Sequence, residues 1–392
     1  MDFPGVRQVT EIFEAKLKKL GFTTSRVDLL KVHRANHLVA EHKGTGPQIL
    51  LLGHLDTVFE KSSGFLTYKP IDAEWIGGPG TSDMKGGDIV MLSALEALNE
   101  TGALAKMNIT IVMTGDEEYP GEDQDGSLTT TRGPMIEWAK KSDYALSFEP
   151  RNGKAPGLIV ARRGASQWNL KVHAKSGHSG MVFSKDKGPG AIYPISKILA
   201  KFYDQMRKEK LRTFNVGNMA GATVLMREKG NEEFGATLSG KDNVIPPIAE
   251  AYGEFRAISP QQVKHTHEQM QRIVKNEIES INKDYDSDAK VSAEIEFNDK
   301  YPPMALSAGN QALETKMKQV SLDLGFEALN RADPMVQGAG DIAFAAQYVK
   351  KGALDGLGVI GFDFHTNKER AGLTSFKEAV PRAALLLYRL NQ

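Results

Sequence analysis

The chain has 392 residues, enough for two or three domains at roughly 100–200 residues each. Its 49 basic and 49 acidic residues cancel, which argues against an electrostatic binder of nucleic acid or of an anionic membrane. Composition is ordinary for a globular protein, 41% hydrophobic and 25% charged, and the absence of cysteine excludes disulfides, thiolate nucleophiles, zinc–cysteine sites and iron–sulfur clusters.

In chain order, Val6 to Leu20 reads as an amphipathic helix, with Val6, Val9, Phe13, Leu17 and Leu20 on one stripe and Gly21 as its stop. Gln48 to His54 is a short continuous apolar run, the pattern of a strand buried on both faces of a parallel sheet. Gly86 to Leu98 reads as a helix with Ile89, Leu92, Leu95 and Leu98 inward. Asn108–Met113 and Tyr144–Phe148 read as further strands. Strands alternating with helices predict an α/β fold with a mostly parallel sheet flanked by helices.

The pattern changes near residue 164. Ala165 to Ala174 alternates like a half-buried antiparallel strand, Ile192 to Lys208 reads as a helix, and Thr223–Met226 and Ala249–Phe255 read as strands. Gln261 to Ile281 is a second helix and Val291 to Phe297 a last alternating strand. This βαββαβ order predicts a ferredoxin-like α+β unit inserted into the first domain. The α/β pattern then resumes with a helix over 310–324, another after Gly340, a strand over 357–362 and a final helix over 376–390. The expected organisation is a discontinuous catalytic domain, 1–163 with 300–392, and an inserted domain, 164–299.

No run of about 18 apolar residues appears. The first residues have neither a basic nor an apolar leader region, so no signal peptide is visible, and cytoplasmic and exported locations both stay open.

Chemistry-bearing residues cluster where the strands end. His54 and Asp56 follow the run ILLLG, and Asp116, Glu117 and Glu118 follow ITIVMTG. Glu149 follows ALSF, and His365 follows GLGVIGFDF. Ligands of open α/β sheets bind beyond the carboxyl ends of the strands, so these residues point into one crevice. Asp83, in the glycine-rich loop 77–87, joins them ahead of a helix, where it could also serve as N-cap. Crowded carboxylates repel unless cations sit among them. Two histidines with several carboxylates and no cysteine suit divalent zinc, with cobalt or manganese as other candidates. Two ions sharing a carboxylate form a common hydrolytic arrangement. At a turn, both members of the Glu117–Glu118 pair can reach the site, one as ligand and one as base. The glycine-rich loop lacks the GxxxxGK[ST] spacing of a phosphate loop, which argues against a nucleotide-dependent enzyme.

The motifs HLDT at 54–57, GTSDMKGG at 80–87, TGDEE at 114–118, FEP at 148–150, GHSG at 177–180, NVIP at 243–246 and GAGD at 338–341 resemble, in order, those of the M20 co-catalytic zinc peptidases. The likeness is greatest to the glutamate carboxypeptidase and N-acyl-amino-acid deacylase branch. It implies two zinc ions per chain, one held by His54, Asp83 and Glu149 and the other by Asp83, Glu118 and His365. It implies that Glu117 deprotonates a bridging water, that Asp56 orients His54, and that the inserted domain is a lid and homodimer surface. His178 would serve a neighbouring subunit's oxyanion, Asn243 and Arg256 would hold a substrate carboxylate, and Gly338 would lie beside the substrate. Family members with Glu at the position of Glu149 tend to be carboxypeptidases and deacylases, whereas Asp there is more usual in dipeptidases and tripeptidases.

This sequence departs from the family in three places. Glu254-Phe255-Arg256 stands where DxR is frequent. An acidic loop, 119–126, follows the glutamate pair. Most relatives carry a further N-terminal stretch, which fits a processed or truncated form. The implied reaction is cleavage of an amide bond to release a C-terminal amino acid, with removal of an N-acyl group from acetylornithine- or succinyl-diaminopimelate-type substrates as the alternative. A catalytically silent binding protein on the same scaffold is the rival from another class. It would be expected to have lost a ligand or Glu117, and neither is missing.

Overall fold

The computed structural model describes residues 3–153, 156–227 and 236–392. The chain divides into two compact units, Met1–Arg162 with Pro303–Gln392, and Arg163–Pro302.

The first unit is built on a six-stranded sheet in the order Thr23–Val27, His37–His42, Asn108–Thr114, Gln48–His54, Tyr144–Ser147, Gly352–Leu354. The first two pairings are antiparallel and the other three parallel, which makes a mixed, mostly parallel sheet. Ile49 to Leu52 are at most 1% exposed because helices cover both faces of that strand. Leu92, Leu95 and Leu98 of helix Lys85–Glu100 and Leu386, Leu387 and Leu390 of helix Leu373–Leu390 join Leu51, Ile111 and Leu146 in one core.

Ile89 corrects the expected helix stripe: it is 47% exposed, and the buried face runs instead through Val90, Met91, Ala94 and Leu95. A helix rich in apolar residues allows more than one stripe, and packing against the sheet chooses between them.

A second, smaller sheet in this unit has the order Lys69–Pro70, Trp75–Gly77, Arg370–Gly372, Ile360–Phe362, Arg151–Asn152. The strand expected over 357–362 is only Ile360–Phe362 and belongs to this small sheet. Three strands of the large sheet, Thr23–Val27, His37–His42 and Gly352–Leu354, have no counterpart in the sequence reading.

The second unit is a four-stranded antiparallel sheet in the order Thr213–Ala222, Ile248–Ala257, Gly164–His173, Ser292–Tyr301. Alternation in the strand Gly164–His173 buries Trp168, Leu170 and Val172 on one face. Helices Ile192–Met206 and Pro260–Ile281 share that core through Ile195, Ile198, Phe202, Met270, Ile273 and Val274. The second strand of the expected order is Thr213–Ala222. The segment expected in its place, 223–226, belongs to Val224–Arg227, which pairs only with Ala236–Ser239. Thr213–Ala222 is a largely exposed edge strand with two glycines, so it carries little hydrophobic signature. Among the described residues no helix is long and apolar enough to cross a membrane.

Candidate metal centre

Three adjacent parallel strands of the first unit deliver the crevice residues. Gln48–His54 ends in His54, Asn108–Thr114 leads to Glu117 and Glu118 past Asp116, which pairs with buried Arg132 instead of lining the crevice, and Tyr144–Ser147 leads to Glu149. The small sheet brings the rest. Trp75–Gly77 opens the loop that carries Asp83, Arg151–Asn152 leads away from Glu149, and Ile360–Phe362 leads to His365. His365 sits at φ 61°, with Asp363 at φ 57°. Non-glycine residues in this left-handed region cost roughly 1–3 kcal/mol each, a strain that clusters at functional sites. The Asp83–Met84 peptide is cis.

The five candidate ligands come together as two triads that share Asp83: His54, Asp83 and Glu149, and Asp83, Glu118 and His365. Within each triad the ligand atoms lie within 4.8 Å of one another. His54 Nε2 is 3.3 Å from Asp83 Oδ1 and 3.8 Å from Glu149 Oε1. His365 Nε2 is 3.2 Å from both Asp83 Oδ2 and Glu118 Oε2. The Asp83 carboxylate thus faces both imidazoles, one through each oxygen. Asp83 does not cap the following helix. The N-cap is Met84, without a side-chain cap bond.

Asp56 lies behind His54, its Oδ1 3.3 Å from His54 Nδ1. The same carboxylate accepts the backbone N–H groups of Glu117 and Glu118 at 3.1 and 3.0 Å. Facing Nδ1 toward Asp56 leaves the Nε2 lone pair toward the crevice, the usual way a carboxylate orients a metal-binding imidazole.

Electrostatics favour a cation here. Burial, reinforced by neighbouring carboxylates, pushes Glu117 and Glu149 well above the ordinary range, and burial also raises Glu118. Burial opposes ionisation of Asp83 too, yet the imidazoles of His365 and His54 hold it below its usual value. Without a metal those imidazoles supply the balancing charge. His365 is pushed up to about 10 by Asp83 and Glu118. The donors are nitrogen and oxygen only, clustered and short of positive charge, so they fit divalent cations.

A cavity of about 280 Å³ opens onto the cluster, lined by Asp83, Glu117, Glu118, Glu149, Gly338 and His365 among others. Arg162 also lines it and was not singled out in the sequence. Arg162 is buried, donates to Asp355 at 2.7 Å and to the Gly338 carbonyl at 2.9 Å, and so pins the glycine-rich loop 338–341. Only its place in a double arginine ahead of a strand could have drawn notice. Asp341 ends that loop in a buried ion-pair network. Arg132 bonds Asp341 and Asp116, each at 2.6 Å, and Thr114 donates to Asp341 at 2.7 Å.

The other three candidate residues lie in the second unit. Asn243 and His178 are neighbours there. The Ser179 N–H donates to the Asn243 carbonyl at 2.9 Å, and His178 pairs with Val244 across a short antiparallel ladder. Arg256 forms an ion pair with Glu254 of its own strand at 2.7 Å.

Comparison with known proteins identifies the family. Residues 50–389 match the model of peptidase family M20/M25/M40. The chain is 26% identical to carboxypeptidase G2 of Pseudomonas sp. (strain RS-16), over 99% of this chain and 84% of that protein. It is 28% identical to a succinyl-diaminopimelate desuccinylase of Bradyrhizobium sp. (strain ORS 278), over 68% of this chain and 66% of that protein. Its fold matches the Bacillus subtilis YXEP protein, a dinuclear metal binding peptidase from the M20 family, with a TM-score of 0.68 at 13% identity, covering 98% of this chain and 92% of that one. The chain therefore belongs to peptidase family M20/M25/M40 and is a hydrolase acting on amide bonds.

Proposed function

We propose that the chain is a dinuclear-metal carboxypeptidase that releases a C-terminal amino acid, with glutamate as the first candidate. The observation that carries this reading is the pair of triads sharing Asp83 beside a buried Glu117. His54, Asp83 and Glu149 would hold one ion and Asp83, Glu118 and His365 the other, with zinc the best match to the donor set. The bound ions would polarise the scissile carbonyl and acidify water as Lewis acids.

The chain's own residues then do the following. Glu117, raised by burial, is poised to take a proton from the attacking water and to hand it to the leaving amine. Asp56 holds the Glu117 backbone and the His54 ring in place. Arg256 and Asn243 would bind the substrate carboxylate, which suits a guanidinium fork. His178 would complete a neighbouring subunit's site in a homodimer formed through the second unit, which would also act as a lid. The similarity to carboxypeptidase G2 supports release of a C-terminal residue. The similarity to succinyl-diaminopimelate desuccinylase supports the second reading, an N-acyl-amino-acid deacylase.

Zinc-reconstituted protein should be assayed on peptides and N-acyl amino acids, including C-terminal glutamate, acetylornithine and succinyl-diaminopimelate, with a chelator control. Chelator-sensitive release of C-terminal glutamate as the best reaction supports the first reading. A preference for acyl-amino acids selects the second. No turnover with two ions bound per chain would sink both.

A further inference from the structure

Glu369 is not among the candidate ligands, yet it is 1% exposed and carries four hydrogen bonds on its carboxylate. Oε1 accepts the Ser82 N–H at 2.9 Å, the Asp83 N–H at 3.1 Å and the Ser82 hydroxyl at 3.2 Å. Oε2 accepts the Gly80 N–H at 3.1 Å. Its backbone carbonyl accepts the Gly78 N–H at 3.3 Å. The ladder that pairs Gly77 with Arg370 is thus continued by Glu369 along the whole loop 78–83. Both carboxylate oxygens are therefore engaged by the loop, Oε1 by three donors and Oε2 by one.

We propose that Glu369 is a positioning residue that sets the affinity of the site formed by Asp83, Glu118 and His365. The inference rests on the dinuclear reading above. Asp83, the shared ligand, has its backbone N–H tied directly to Glu369. His365 lies four residues before Glu369, and the turn between them is closed by Thr366, whose carbonyl accepts the Glu369 N–H at 3.0 Å. The Glu369 side chain holds Asp83 directly, and by anchoring residue 369 to the loop it also fixes the backbone N–H that closes the His365 turn. The triad of His54, Asp83 and Glu149 depends on it only through Asp83. An amide at this position keeps one acceptor oxygen but sets its N–H₂ against either the Gly80 N–H or the Ser82 and Asp83 donors, and the loop would relax with the fold otherwise intact.

The test is Glu369→Gln in the full chain, stripped with chelator and titrated with Co²⁺ by calorimetry and visible absorption. Wild-type protein should take two ions, and a wild type taking fewer would overturn the dinuclear reading and this proposal with it. In Glu369→Gln one ion should bind about 10–100-fold more weakly, the usual cost of losing a partner behind a metal ligand, while the other changes less. Two ions with wild-type affinities would overturn this proposal alone. Equal weakening of both ions together with a lower melting temperature of the metal-free protein would also overturn it, as the mark of a general structural role. If Glu369→Gln does not fold, Ser82→Ala removes one of the four donors and should weaken one ion roughly threefold. Wild-type affinities in that variant would overturn the proposal.

Discussion

The Asp56 carboxylate accepts the backbone N–H of Glu117 at 3.1 Å. Its other oxygen takes the N–H of Glu118, and its first lies beside the His54 ring. One buried side chain therefore ties together the ends of two neighbouring strands, a proposed metal ligand from each, and the proposed base between them. Asp56→Asn keeps the volume and one acceptor oxygen but sets an amide N–H₂ against the donors on the other side of the group. Metal affinity should fall about 10–100-fold, and kcat with it. Calorimetric metal titration of the variant checks this, and unchanged affinity would reduce Asp56 to a packing role.

Glu117 lines the cavity but belongs to neither triad. Glu117→Gln should lower kcat by about 10²–10⁴ while leaving metal content unchanged. Metal analysis beside steady-state kinetics separates base from ligand. Loss of one metal equivalent would make Glu117 a ligand.

Arg256 is held by Glu254 and is half-buried. If it reads the substrate carboxylate, Arg256→Ala should raise KM roughly ten- to hundredfold for substrates with a free carboxylate, the scale of a charged hydrogen bond. An unchanged KM would leave Arg256 as the ion-pair partner of Glu254 alone.

Arg132 joins two buried carboxylates, Asp116 beside the glutamate pair and Asp341 at the end of the glycine-rich loop. Arg132→Met leaves both charges buried without their cation. Stability should fall by about 3–5 kcal/mol, measured by urea denaturation of the metal-free protein. A loss below about 1 kcal/mol would mean that the network is not a structural centre.

Asp88 is fully buried in helix Lys85–Glu100. Among the described residues neither carboxyl oxygen has a hydrogen-bond partner, and burial pushes the group up to about 8. In the unfolded chain it ionises near pH 4. Between about pH 4 and 8 the folded state therefore holds a proton that the unfolded state has released, so this group makes stability fall as pH rises. Asp88→Asn abolishes that dependence. The melting temperature of the metal-free variant, relative to wild type, should climb from pH 5 to pH 8 and level off above. A difference independent of pH would show that Asp88 ionises normally.

Much of the architecture was legible in the sequence because burial writes itself into apolar pattern. Ile49 to Leu52 had to be a strand covered on both faces, and Trp168, Leu170 and Val172 had to share one face of another. The chemistry was legible for a related reason. Acidic residues and histidines directly after buried apolar strands stand at the carboxyl ends, and the structure gathers His54, Asp83 and Glu149 in one triad and Asp83, Glu118 and His365 in another. The segments that escaped were those whose neighbours define them. Thr23–Val27 and Thr213–Ala222 are edge strands with little buried surface, Gly352–Leu354 is too short to show a period, and His37–His42 offers only the three-residue apolar run Leu38-Val39-Ala40. Ile89 faces solvent because packing, not composition, sets a helix's rotation. The contacts behind the site were hidden for the same reason. Glu369 meets Asp83 across 286 residues of chain, and Arg132 meets Asp341 across 209. No local pattern records such pairs, because a buried charge chooses its partner through the fold that removes it from water.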